Sequence, residues 1–169
     1  MFVLGIDPGL TRCGFGLVDG SLRGPELFRA VRAGVIETKA SDRVELRLGQ
    51  LLVELSALID ELRPDAVAVE RVFFQRNART AIPVAQASGV AVALAGSRNL
   101  EVRQFTAQEA KLAVTGYGAA DKLQVQGMVA RLCGLRAIPQ PADAADALAL
   151  AITYFTTCRT ELRLSGTAS

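Results

Sequence analysis

Two short apolar runs, each closed by a single acid, constrain this chain most. Phe2-Val3-Leu4-Gly5-Ile6 stops at Asp7-Pro8-Gly9, and Ala66-Val67-Ala68-Val69 stops at Glu70. Apolar runs of this length, bounded by turn formers, read as buried strands. Two more strand-like runs lie between them, Arg12 to Val18 and Leu27 to Thr38, separated by Asp19-Gly20-Ser21 and Gly24-Pro25. That spacing predicts an antiparallel meander. A further strand is predicted from Leu100 to Phe105. The order three strands, helix, strand, helix, strand, then helices predicts an α/β chain with a mixed five-stranded sheet flanked by helices on both faces.

The helices announce themselves by period and by caps. After a start at Ser41-Asp42, Val44, Leu48, Leu51, Leu52, Leu55, Leu58, Ile59 and Leu62 recur at helical spacing until Arg63-Pro64. Thr106 with Glu109 three residues on is a capping box. Thr115-Gly116-Tyr117-Gly118 breaks that short helix, another runs from Asp121 to Cys133 before Gly134, and a last one covers Ala142 to Cys158. Residues 1–160 are expected to form one domain, and 161–169 a short disordered tail.

Thr80 to Ser97 is uncharged for eighteen residues, near the length of a short membrane span. It is rich in Ala, Gly and Val and contains Pro83, Gln86 and Ser88, so a helix buried against its own sheet and a second surface is expected instead. A partner subunit, in a homodimer, is the natural second surface. No membrane association is expected. The N-terminus lacks a basic region and meets Asp7 early, which does not suit a signal peptide.

Of 169 residues, none is histidine. Ser-His-Asp and Cys-His triads are therefore excluded, as are histidine-containing zinc sites. The three cysteines, Cys13, Cys133 and Cys158, form no CxxC pair and suit a reducing, cytoplasmic setting as small apolar residues. Acid–base work is left to Asp, Glu, Lys, Tyr, Cys or a metal-bound water.

Four of the seventeen acids stand out. Asp7 and Glu70 close strands, and ligands of open sheets gather beyond the carboxyl ends of strands. If those strands are parallel neighbours, the two acids converge. Asp143 and Asp146 lie three apart at the start of the last helix, flanked by alanines that let a backbone approach closely. Favourable placement at a helix N-terminus explains that pair equally well on its own, but it does not explain Asp7. Four carboxylates gathered without cations would repel and raise one another's pKa. An oxygen-only cluster suits Mg²⁺ or Mn²⁺, and two such ions about 4 Å apart clamp both oxygens of a phosphodiester displacement.

Three segments, Gly5-Ile6-Asp7-Pro8-Gly9, Ala68-Val69-Glu70-Arg71-Val72-Phe73-Phe74 and Ala142-Asp143-Ala144-Ala145-Asp146-Ala147-Leu148, resemble the RuvC family of Holliday junction endonucleases in order and spacing. The resemblance implies an RNase H-like fold and a homodimer on a four-way DNA junction. It implies paired symmetric nicks that leave 5′-phosphate and 3′-hydroxyl ends, in recombination and repair. It also implies that Asp7, Glu70, Asp143 and Asp146 hold two Mg²⁺ or Mn²⁺ ions and that Lys111 and Lys122 lie near the scissile phosphate. Phe73 would stack on junction bases, and RuvA and RuvB would be partners. The alternative is a YqgF-like RNase H-fold nuclease of RNA processing, to which the Phe-Phe and ADAAD segments correspond less well.

Beside the resemblance, the residues leave plainer readings open. Lys111 and Lys122 could be solvated lysines, and Phe73-Phe74 could be core. Against the latter, Arg71, Arg76 and Arg79 surround the phenylalanines with Gln75 and Asn77, and aromatics interleaved with arginine stack bases and hold phosphates. Between Arg71 and Leu100 there are four arginines and no acid, which predicts a phosphate-binding face. The formal charge is +2, yet setting aside the four clustered acids leaves 19 basic against 13 acidic residues.

Overall fold

The computed structural model describes residues 1–23, 28–72 and 78–166, with backbone alone for 78–80. Its elements follow in the order β1 (Phe2–Asp7), β2 (Arg12–Asp19), β3 (Arg29–Glu37), α1 (Val44–Leu62), β4 (Ala66–Glu70), α2 (Ala78–Ser97), β5 (Glu101–Phe105), α3 (Ala107–Thr115), α4 (Lys122–Leu132) and α5 (Ala142–Gly166). The five strands form one sheet in the order β3-β2-β1-β4-β5. β1, β2 and β3 pair antiparallel, as the turn residues predicted, while β4 runs parallel to both β1 and β5. The mixed five-stranded sheet is therefore as expected.

Strand alternation sorts the core into two layers. Leu4, Ile6, Val67 and Val69 face α1 and α2, packing with Leu51, Leu55, Leu58 and Ile59, and with Ala87, Ala91 and Ala95. Val3, Ala66 and Ala68 face the other way, toward Leu148, Ala149, Ile152 and Phe155 of α5, with α3 and α4 beyond. The three- and four-residue steps through Leu51, Leu55, Leu58 and Ile59 put one apolar face of α1 against the sheet. It ends where Arg63 takes a left-handed conformation (φ 45°) and its N–H returns to Ile59 O at 2.9 Å. The cysteines are buried and unbridged.

Three expectations change. α1 begins at Val44 with Arg43 as its cap and no capping side chain, so Ser41-Asp42 lies ahead of the helix. Residues 161–166, expected as a disordered tail, continue α5 as helix, because Glu161 is held by Arg103 of β5, with Nη1 2.8 Å from both carboxylate oxygens. α4 stops at Leu132, and Gly134 takes its left-handed turn (φ 62°) beyond the Cys133 cap. The capping box of Thr106 and Glu109 is present, and Asp121 with Gln124 forms a second one. Among the described residues, no helix is long and apolar enough to cross a membrane.

Candidate active site

Parity places the first two acids. Asp7 belongs to the same alternating set as Val3 and Gly5, and Glu70 to that of Ala66 and Ala68, so both point to the α5 side. The parallel register pairs Gly5 with Ala68 and Ile6 with Val69, and its next step sets Asp7 beside Glu70. The two carboxyl groups share a hydrogen bond. Burial first, and then that hydrogen bond and the charge of Glu70, push the Asp7 carboxyl up to about 8, with further contributions from Asp146 and Asp143. At neutral pH the pair therefore holds a proton, and Glu70, Asp146 and Asp143 all act electrostatically on Asp7.

The other two acids arrive on α5, and glycines determine how closely it comes. A Cβ at Gly5 would lie 1.8 Å from the carbonyl oxygen of Ala147, and one at Gly14 would lie 2.2 Å from that of Asp143. Both distances are far inside van der Waals contact, so at these positions the helix backbone rests directly on the strands. The alanines around Asp143 and Asp146 complete this approach on the helix side, as the sequence suggested. Sequence reasoning missed the strand side, although Gly14 and Gly16 sit two apart on one face of β2. Period-two glycines are the signal that would have found it.

Each α5 acid has a basic partner. Arg12 Nε donates to Asp143 Oδ2 at 3.0 Å, and Arg12 Nη1 donates to Glu37 Oε1 at 2.6 Å. Lys122 Nζ lies 2.8 Å from Asp146 Oδ2, and that bond raises the lysine's pKa above its ordinary value. Glu70, Lys111, Lys122 and Asp146 line one cleft of about 230 Å³, floored by Ala110, Val125 and Leu150. Lys122 is therefore not simply solvated, and Lys111 reaches the same cleft. The pairing of Arg12 with Glu37 and Asp143 was not legible in the sequence, since it depends on strand register.

The expected DNA-facing residues divide. Phe73, Phe74 and Arg76 lie outside the described residues, and Arg79 is on α2 with only its backbone described. Arg71 is exposed; its Nη2 donates to Gln104 O at 3.1 Å, and its charge helps hold Glu109 below the usual carboxylate range after the Thr106 hydrogen bonds. Two arginines are already engaged, Arg98 of the expected basic face and Arg103 beyond it in β5. Arg98 forks onto Asp60 at 2.7 and 2.9 Å, and Arg103 binds Glu101 and Glu161. Both serve packing between elements rather than a free phosphate surface.

Among the described residues, no three acidic or thiol side chains close around a common ion position. The cause is that Asp143 and Asp146 are turned to Arg12 and Lys122. The donor set still fits a hard divalent ion, because Asp7 lies within electrostatic reach of three other carboxylates, and burial together with those neighbours keeps a proton at the site. Loading would require Asp7 to lose that proton and the two α5 aspartates to leave their basic partners.

A mixed sheet in this strand order, with acids at the ends of adjacent parallel strands and on a helix laid across them, belongs to the RNase H-like class. The family model described as "Crossover junction endodeoxyribonuclease RuvC" matches residues 3–154. A RuvC of that description from Frankia alni is 54% identical over 154 residues, covering 91% of this chain and 77% of the relative. Thermus thermophilus RuvC superposes with a TM-score of 0.86 at 34% identity, covering 95% of this chain and 97% of its own. The same protein in complex with a Holliday junction substrate gives a TM-score of 0.88, also at 34% identity, covering 95% and 96%. This chain belongs to the RuvC family. The YqgF-like alternative is not favoured by these matches.

Proposed function

We propose that this chain resolves four-way DNA junctions as a metal-dependent endonuclease, by paired nicks in strands of like polarity that leave ligatable 5′-phosphate and 3′-hydroxyl ends. The observation that carries the reading is the meeting of Asp7, Glu70, Asp143 and Asp146 at one sheet edge, beside a cleft that also holds Lys111 and Lys122. Family membership and the junction-bound Thermus thermophilus relative support the choice of substrate.

Asp7, Glu70, Asp143 and Asp146 would hold the ions, Mg²⁺ or Mn²⁺, two per site. Bound there, such ions supply an activated water and take up charge on the phosphate oxygens. The chain's own residues do the rest. Lys122 stands against the acids and offsets charge building on the phosphoryl group, and Lys111 narrows the cleft around the scissile strand. Phe73, with Phe74, stacks on bases opened at the junction, while Arg71, Arg76 and Arg79 hold phosphates on either side. A homodimer formed through the uncharged Thr80 to Ser97 stretch of α2 supplies two such sites for symmetric cutting. RuvA and RuvB are the expected partners, and the cytoplasm is the expected compartment.

The test offers labelled four-way junctions, linear duplexes and RNA–DNA hybrids with Mg²⁺, with Mn²⁺ and with chelator. Symmetric, ligatable nicks confined to junctions and abolished by chelator are expected. Preferential cutting of hybrids, or cutting that survives chelation, would overturn the reading.

A further inference from the structure

Arg12 opens β2 and spans two carboxylates, with Nε at 3.0 Å from Asp143 and Nη1 at 2.6 Å from Glu37. The Glu37 contact follows from the sheet, since Arg12 stands directly opposite Glu37 in the β2–β3 register. A cross-strand partner thus anchors the guanidinium and leaves its Nε edge for Asp143. Arginine keeps its proton at every accessible pH. Asp143 therefore carries a permanent counter-cation.

Three features make this contact exchangeable rather than a fixed brace. The Arg12 side chain is 41% exposed, so water readily replaces a partner that leaves. Glu37 is more exposed still and remains as the acceptor after Asp143 departs. Asp143 itself is held at its backbone by the Gly14 contact, so its carboxylate can turn without moving the helix.

We propose that Arg12 is a positioning residue for metal loading: an internal cation that keeps the Asp143 carboxylate out of the cluster until a divalent ion displaces it, with Glu37 retaining the released guanidinium. This rests on the reading of the four acids as the metal site. The two residues then act with opposite sign. Arg12→Gln removes a competitor for Asp143 and a positive charge that repels the incoming ion, so ions bind more tightly. Glu37→Gln removes the retaining acceptor, so Arg12 holds Asp143 harder and ions bind more weakly. A merely structural role would weaken binding in both variants. Arg12→Lys keeps the charge on a single flexible head and stays near wild type.

The experiment is Mn²⁺ binding to the full chain without DNA, followed by calorimetry and by the spin-resonance signal of free Mn²⁺, with circular dichroism to show that each variant is folded. Arg12→Gln is expected to lower the dissociation constant about three- to fivefold and Glu37→Gln to raise it about two- to threefold, the scale of an exposed ion pair. Equal affinity in wild type and Arg12→Gln, or shifts of the same sign in both variants, would overturn the proposal while leaving the metal site standing. Failure of the wild type to bind Mn²⁺, or undiminished binding in Asp7→Asn, would overturn the metal site and the proposal with it.

Discussion

The two faces of the sheet are packed by different means. On the α1–α2 side, large side chains meet: Leu51, Leu55 and Ile59 interlock with Leu4, Ile6, Val67 and Val69. On the α5 side, at the end that carries the acids, the helix backbone meets the strand backbone at Gly5 and Gly14 with nothing between. Side-chain packing can rearrange when one methyl group is lost or shifted, because neighbours move into the space. Backbone contact leaves no such freedom. The face that supplies stability is therefore adaptable, and the face that positions Asp143 and Asp146 is not.

That contrast can be broken by substitution. The largest effect is expected at Gly5→Val, where the new side chain would occupy the place of Ala147 O. About 4 kcal/mol or more should be lost, at the upper end of single substitutions, read from urea unfolding. On the opposite face Leu55→Ala should cost about 2–4 kcal/mol through the cavity it leaves. Its Mn²⁺ affinity should stay at the wild-type value, since that layer does not touch the acids. A changed affinity would mean that the two faces are coupled.

A smaller effect concerns charge. Asp7 holds its proton up to about pH 8 in the folded protein, against an ordinary value of 3.8. The folded chain thus binds more protons than the unfolded chain between those values. The resulting stabilisation is complete below about pH 4 and is lost as pH rises through about 8. Asp7→Asn carries no such dependence. In chelator it should be more stable than wild type by about 1–3 kcal/mol at about pH 8 and lose that advantage toward about pH 4. An advantage constant with pH would remove the raised Asp7 carboxyl as the cause. The smallest effect belongs to the adaptable side: Gly49→Ala, in α1 with open space around the new Cβ, should add about 0.5–1 kcal/mol and leave cutting unchanged.

The same contrast explains what could be seen in the sequence. Periodicity and punctuation are local, and they located all five strands, the capped start of α3 and the start of α4. Asp7 and Glu70 were legible because a lone acid stands out at the end of an apolar strand, where neither a helix dipole nor a solvated face accounts for it. Asp143 and Asp146 were legible as a pair, but not in their turn toward Arg12 and Lys122. Those contacts depend on register and on how far α5 descends, which no local pattern encodes. Arg12 remained hidden for this reason, with its partners 25 and 131 residues away. The extension of α5 to Gly166 was hidden likewise, because the Arg103–Glu161 bond joins distant elements.

The most direct measurement compares two variants by junction-cleavage rate at saturating Mn²⁺, each confirmed folded and bound to the junction. Gly14→Ala pushes a methyl group against the carbonyl of Asp143, whereas Leu58→Ala opens the layer beneath α1. Gly14→Ala should cut about 100-fold more slowly than wild type, the cost of a misplacement near 1 Å, and Leu58→Ala should stay within about threefold. Wild-type cutting by Gly14→Ala, or equal losses in the two variants, would contradict the claim that backbone contact with α5 positions Asp143 and Asp146 for the proposed reaction.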